Sequence, residues 1–323
     1  MNTCRQAEYS EIPALRHRPV RGMIRPMFRR ARLFGLLALS ILLPACGEDS
    51  PRPRPVSKTG QPLRAEAVRP TAIPTTPPPA VAAESVIVID PISGRVLYAK
   101  NADQRRPVAS TQKLVTALVA LDGNIDKQVT ISADDTRCEP TKLYLKPGET
   151  HSRRDLLKVL MVKSANDVGR ALARDIGGSQ EGFANMMNRK AAQLGMRNSH
   201  FLNPHGLPQE GQYSTARDMA IAARSAWRNQ TIHSFTSLQS TTFRHSDGRV
   251  KTLQNTNKLL KRVPYCDGLK TGTTDAAGRC LISSGTLGGR SAIVVVLKSN
   301  SANIWNDSEK LLRWSLEHPA SEG

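Results

Sequence analysis

Ser110 and Lys113 are the residues of this chain whose types and spacing most directly spell chemistry. They stand at the mouth of Pro107-Val-Ala-Ser-Thr-Gln-Lys-Leu-Val-Thr-Ala-Leu-Val-Ala-Leu-Asp122, a turn followed by an apolar helix. Three residues apart on a helix, the hydroxyl and the amine share one face about a turn apart, near enough to exchange a proton. A serine hydroxyl is a weak nucleophile until a base removes its proton, and lysine serves as that base only when neutral. Neutrality requires burial or a second cation that pulls the amine's pKa down, so the pair predicts helpers elsewhere. Alone it is a weak signal: ordinary composition gives about one Ser-x-x-Lys by chance in a chain this long, and a helix cap followed by a surface lysine looks the same.

Two further stretches change the odds. Ser164-Ala165-Asn166 falls between two helical segments, and Lys270-Thr271-Gly272-Thr273 lies in a strand-like stretch near the C-terminus. Ser-x-x-Lys, Ser-x-Asn and Lys-Thr-Gly in that order form the three-part signature of penicillin-binding proteins and class A β-lactamases. Decoys exist. Lys58-Thr59-Gly60 precedes the nucleophile in a proline-rich tract, and Ser301-Ala302-Asn303 follows the last motif, so both fail on order and context. His205, in Asn-Pro-His-Gly, reads as a turn residue rather than a catalytic base. The seven histidines form no cluster and no cysteine pair has zinc spacing, so neither a metal nor a cofactor is expected.

The elements that must position these residues follow from the pattern. Ser85–Asp90 and Arg95–Ala99 are β-rich runs joined by a turn ending at Gly94, a hairpin. The Ser110 helix stops near Gly123. Ser152-Arg-Arg-Asp155 has capping-box form and opens a helix with Leu156, Leu157, Leu160 and Met161 on one face, whose end delivers Ser164 and Asn166. Further helices run to Gly177-Gly178, from Phe183 to Leu194, and from a Thr215 cap to Trp227. Leu281–Ser284 and Ser291–Leu297 are strands about a Gly288-Gly289 turn, and Ile304 to Leu316 is a closing amphipathic helix. The expected fold is an α/β (α+β) domain in which the N-terminal hairpin joins the C-terminal strands in one antiparallel sheet. A helical lobe is inserted into it, with the active site between the two.

Charge and composition place the chain in a compartment. A 39% hydrophobic content suits a globular enzyme, while a net charge of +19 is unusual. Through residue 46 there are eight arginines against two glutamates, so part of the excess belongs to a leader. No basic-aromatic cluster accompanies the charge, which argues against nucleic acid and for an anionic cell envelope. Arg29, Arg30 and Arg32 precede the apolar run 33–43 and then Pro44-Ala45-Cys46-Gly47, an export signal too short for an ordinary membrane span. Its ending resembles a bacterial lipoprotein signal, with Cys46 as the lipidated residue and a membrane anchor as the consequence. The expected organisation is a leader over 1–46, a proline-rich tether over 47–84, a catalytic domain over 85–318 and a tail over 319–323. Cys266 and Cys280 flank the Lys-Thr-Gly segment and are candidates to bridge a hairpin.

Over about residues 85–316 the sequence resembles the D-alanyl-D-alanine carboxypeptidases, the low-molecular-weight penicillin-binding proteins of bacterial envelopes. The likeness is carried by Gly94-Arg-Val-Leu-Tyr98, Arg106-Pro-Val-Ala-Ser-Thr-Gln-Lys113, Leu145-Lys-Pro-Gly-Glu149, Phe201-Leu-Asn-Pro-His-Gly-Leu207, Tyr213-Ser-Thr-Ala-Arg-Asp218 and the stretch 263–275. Thr141 stands where a serine is common, and the chain ends soon after its closing helix, short of the β-rich C-terminal domain that many relatives carry. The resemblance implies a β-lactamase/transpeptidase-like fold and a substrate ending in D-Ala-D-Ala, a peptidoglycan stem peptide, with β-lactams as covalent inhibitors. It implies attack by Ser110, proton removal by Lys113, and relay to the leaving amine by Ser164. Asn166 would hold lysine and substrate backbone. Lys270 would keep Lys113 neutral and, with Thr271 and Thr273, meet the terminal carboxylate, while Gly272 leaves room for substrate. Backbone amides of Ser110 and Thr273 would form the oxyanion hole. Two enzymes on the same scaffold remain as alternatives. A D,D-endopeptidase is barely separable by sequence, and a serine β-lactamase would need a glutamate such as Glu181, in Glu-Gly-Phe-Ala-Asn185, to activate water.

Overall fold

A computed structural model of the chain describes residues 70–317. In chain order the elements are β1 (Ser85–Ile89), β2 (Val96–Lys100), a 3-10 turn (Ala109–Gln112), α1 (Lys113–Ala120), β3 (Gln128–Thr130), β4 (Thr150–Ser152), α2 (Arg153–Lys163), α3 (Asn166–Gly177) and α4 (Gln180–Leu194). There follow α5 (Ala216–Arg228), α6 (Gln230–Thr236), β5 (Ser240–Arg244), β6 (Val250–Gln254), α7 (Leu259–Arg262), β7 (Cys266–Thr274), β8 (Gly278–Leu287), β9 (Arg290–Ser299) and α8 (Ile304–Glu317). The main sheet has the order β2-β1-β9-β8-β7, antiparallel throughout. The expected union of the N-terminal hairpin with the C-terminal strands is the β1–β9 ladder, which pairs Val86 with Val296 and Val88 with Val294.

Both faces of this sheet are covered, which explains why β1 and β9 are nearly unbroken Val/Ile runs rather than alternating ones. Successive strand residues point to opposite faces. Ile87, Ile89, Ile293 and Val295 join the core shared with the helical lobe. Val86, Val88, Val294 and Val296 pack with Leu311, Leu312 and Trp314 of α8. In the lobe every residue of α1 is buried, Lys113 included. A helix apolar all round sits inside a core, so this one carries its only charged side chain inward with it. Around it the polar signals act locally as the sequence predicts: Ser152 Oγ accepts from Asp155 N at 3.0 Å, and Thr215 Oγ1 accepts from Asp218 N at 3.0 Å.

Three findings depart from expectation. Residues 70–84, read as the end of the tether, lie against the domain. Thr71 is fully buried; its hydroxyl donates to Ser291 O at 2.6 Å and accepts from Ser291 N at 3.1 Å. Ala83 N donates to Asp307 at 3.0 Å, and Trp314 Nε1 to Thr76 O at 3.0 Å. A proline-rich segment builds no core of its own, yet its backbone groups meet fixed side chains: Asp90 and Arg95 at Thr71, Lys100 at Val81 and Ala83, and Asp307 and Trp314 of α8. Secondly, Cys266 and Cys280 are free thiols. The β7–β8 register sets Cys266 opposite Gly285 and Cys280 opposite Gly272, at different ends of the ladder. Thirdly, α6, the β5–β6 hairpin and α7 occupy a stretch the sequence left unassigned. Leader, Cys46, the tether up to residue 69, residue 318 and the tail over 319–323 lie outside the described residues.

Thr71→Val keeps the shape and removes the hydroxyl, leaving the amide and carbonyl of Ser291 unpaired in the interior. Urea unfolding should show a loss of about 1–3 kcal/mol, with Thr71→Ser close to wild type. A neutral Thr71→Val would mean that the segment merely lies on the surface.

Candidate active site

Ser110 sits in the 3-10 turn that feeds α1, immediately after Ala109, whose φ of 48° is left-handed. Close backbone contact from two sides holds this turn. A Cβ on Gly206 (φ 86°) would stand 2.1 Å from Ala109 O, and one on Gly272 would stand 2.9 Å from Ser110 N. Only glycine lets the 203–207 loop and strand β7 approach so nearly. Lys113, the first residue of α1, then reaches back along the helix face. Its Nζ lies 2.7 Å from Ser110 Oγ, 2.8 Å from Asn166 Oδ1 and 2.7 Å from His205 O.

Asn166 Oδ1 and His205 O only accept, so each takes a hydrogen of the amine, and the Ser110 hydroxyl faces its third direction. That direction holds a hydrogen in the ammonium and a lone pair in the neutral amine, and only the neutral form can take the serine proton. The orientation of Asn166 is itself fixed, because Nδ2 donates to Pro140 O at 2.6 Å and turns Oδ1 toward the lysine. Burial pushes the Lys113 amine well below its ordinary pKa, and the charge of nearby Lys270 pushes it further; Cys138 and Asp167 oppose this in part. Lys270 is also buried, which lowers it to about 7, and its Nζ donates to Thr271 O at 3.0 Å.

All the motif residues therefore converge. Ser164 (φ 65°) ends α2 and Asn166 opens α3. The register of β7 sends Lys270 inward and Thr271 to the other face, where it donates to Thr256 Oγ1 at 2.7 Å. Ser110, Ser164, Thr271, Gly272 and Thr273 line one cleft of about 490 Å³, with Lys113, Asn166 and Lys270 buried behind its wall. Ser164 makes no hydrogen bond to either lysine among the described residues.

Sequence reasoning missed four contributors. The His205 carbonyl, not its ring, meets both Ser110 (3.2 Å) and Lys113, and burial lowers the imidazole to about 3, which keeps it neutral. Buried Asp167 accepts from the backbone amides of Leu143, Tyr144 and Leu145 at 3.0, 2.9 and 3.2 Å, fixing the loop whose Thr141 lines the cleft. Thr256 braces Thr271. Arg279 Nη1 donates to Thr273 Oγ1 and its Nε to Ser301 Oγ, each at 3.0 Å, so the discarded decoy Ser301 stands at the cleft after all, as a support. An acid in a helix's first turn, or an arginine beside a glycine, carries no signal that separates it from ordinary surface residues. Glu181, by contrast, is held in the first turn of α4 and does not line the cleft.

The family described as D-alanyl-D-alanine carboxypeptidase matches residues 72–301, and the chain belongs to it. D-alanyl-D-alanine carboxypeptidase DacF of Bacillus subtilis is 37% identical over 226 residues, covering 68% of this chain and 58% of that protein. A D-alanyl-D-alanine endopeptidase of Pseudomonas aeruginosa is 32% identical over 293 residues, 88% of each chain. The crystal structure of a D-alanyl-D-alanine carboxypeptidase from Mycobacterium tuberculosis matches with a TM-score of 0.72 at 31% identity, over 77% of this chain and 97% of that one. The match thus spans less than two thirds of the Bacillus relative's length.

Carbon NMR of labelled lysine side chains should find Lys270 titrating at about 7 and Lys113 below the ordinary lysine range. Lys270→Met removes a neighbouring positive charge, so the Lys113 pKa should rise. An unmoved Lys113 would leave burial as its whole cause.

Proposed function

We propose that the chain is a serine-type D-alanyl-D-alanine carboxypeptidase, which removes the terminal D-alanine from peptidoglycan stem peptides through an acyl-enzyme on Ser110. The observation that carries this is the buried amine of Lys113, 2.7 Å from the Ser110 hydroxyl and held there by the carbonyl oxygens of Asn166 and His205. In this reading Ser110 Oγ attacks the carbonyl of the penultimate D-alanine while Lys113 Nζ takes its proton. The backbone amides of Ser110 and Thr273 receive the developing oxyanion, an effect worth about 3–4 kcal/mol per donor in comparable enzymes. Ser164 relays the proton to the leaving amine, D-alanine departs, and water then attacks the ester. Asn166 holds Lys113 and the substrate backbone. Thr271 and Thr273 meet the terminal carboxylate with the Lys270 ammonium behind them, and Arg279, held by two neutral hydroxyls, adds a charged donor there. Penicillin enters the same steps and stays as the ester.

One feature favours a second reading, a D,D-endopeptidase of wall cross-links. The cleft is also lined by Lys258, Ser301 and Trp305, more surface than a single terminal carboxylate occupies. Mass analysis of products from pentapeptide monomers and cross-linked dimers separates the two activities. The location that accompanies either reading is the bacterial envelope, with export by the 33–43 segment and lipidation of Cys46 as the anchor.

Ser110→Ala should lose more than about a thousandfold in D-alanine release and all covalent labelling by fluorescent penicillin. Undiminished release would overturn the mechanism. For kcat/KM against pH, the ammonium of Lys270 is present below about 7 and lost above it, so activity toward a carboxylate-terminated peptide should decline as pH rises through that value. Lys270→Arg stays charged, and its profile should lack this basic limb.

A further inference from the structure

Tyr144 combines two features that a folded chain normally avoids. Its side chain is 63% exposed, and its backbone is left-handed at φ 64°, as is that of Thr141 at 63°. Neither is a residue that adopts this region readily, and strain of this kind persists only where surrounding structure imposes it. Asp167 imposes it here: a fully buried carboxylate spent on three loop amides, next in sequence to Asn166. The ring is framed by two ammonium groups, Lys142 Nζ at 5.9 Å and Lys251 Nζ at 5.4 Å from its centroid. Lys142 is paired with Glu139, whereas Lys251 makes no ion pair among the described residues and donates only to Leu143 O at 3.3 Å. Thr141 lines the cleft, and three residues of chain reach at most about 10 Å, so Tyr144 lies near the edge of the cleft, outside its immediate lining.

We propose that Tyr144 and Lys251 form a contact for the part of the substrate upstream of the scissile pair, the ring covering its apolar backbone and side-chain surface and the Lys251 ammonium pairing with a carboxylate. This rests on the carboxypeptidase reading. With the terminal carboxylate held on the β7 wall, the wall that carries Thr141 and Asn166 is left for the preceding residues. A rigid aromatic with an uncompensated cation beside it fits an acidic peptide segment, since the ring offers contact area with little entropy loss and the ammonium selects negative charge.

The test compares kcat/KM on two peptides that differ only upstream. L-Ala-γ-D-Glu-L-Lys-D-Ala-D-Ala with the lysine side chain acetylated carries an upstream carboxylate; diacetyl-L-Lys-D-Ala-D-Ala does not. The wild type should prefer the longer peptide, and Tyr144→Ala and Lys251→Met should each reduce that preference about tenfold, mainly through KM, as expected for one charge-assisted contact. Tyr144→Phe keeps the ring and should retain the preference. Equal loss on both peptides would show that the loop acts only by supporting Asn166, and an absent or unaltered preference would remove the contact altogether; either result overturns the proposal. A wild type that releases D-alanine from neither peptide overturns the carboxypeptidase reading itself, and this contact with it.

Discussion

Two lysine amines buried in one desolvated space are the constraint on which the site depends. Lys113 and Lys270 are both nearly inaccessible, and two ammonium groups without a carboxylate between them cannot both persist in a low-dielectric interior. The molecule resolves this by asymmetry. Lys113 is enclosed by the carbonyl oxygens of Asn166 and His205 and lowered by burial and by the Lys270 charge, while Lys270, bonded to the Thr271 carbonyl, is lowered by burial alone, to about 7. In the proposed mechanism one serves as the base and the other as a cation that titrates near neutrality. Their types are identical, and only their surroundings divide the work.

Holding that arrangement needs rigidity from parts of the chain far apart in sequence. The nucleophile turn is wedged between Gly206 and Gly272, where any side chain would strike backbone. Asn166 is pinned on both sides of its amide, and Asp167 ties the neighbouring loop to the start of α3. Apart from the Lys113 amine, the partners are backbone groups that are already fixed, so the bonds lose little entropy and define position closely. The β1–β9 ladder joins the two ends of the domain, so that β7, at the sheet's edge, faces a lobe whose helices come from the middle of the chain.

The same division between fixed and adaptable groups organises the cleft. Its floor is buried and close-packed, whereas its lining also carries exposed Arg279 and Lys258. Chemistry requires distances held to a fraction of an ångström, and recognition of a long peptide tolerates looser contacts spread over a larger surface. Net positive charge there suits a substrate that carries carboxylates.

The sequence alone determined whatever is local or periodic. Ser110 and Lys113 are one helical turn apart by spacing, Ser152 and Thr215 cap helices through their own side chains, and the β-branched runs in 85–89 and 291–297 mark strands. The order of Ser164, Asn166 and Lys270 behind the nucleophile was legible as a signature. Tertiary structure decided the rest. The His205 carbonyl is invisible in sequence because every residue has one. Asp167, Thr256 and Arg279 acquire their parts only through which backbone or hydroxyl lies opposite them. The tether's end was misplaced because Thr71 is buried by partners more than 200 residues away. Cys266 and Cys280 stay apart because register, not sequence distance, sets which strand residues face each other. Spacing reports what a chain does to its own neighbours; fixed groups brought in from a distance become known only when the chain has closed on itself.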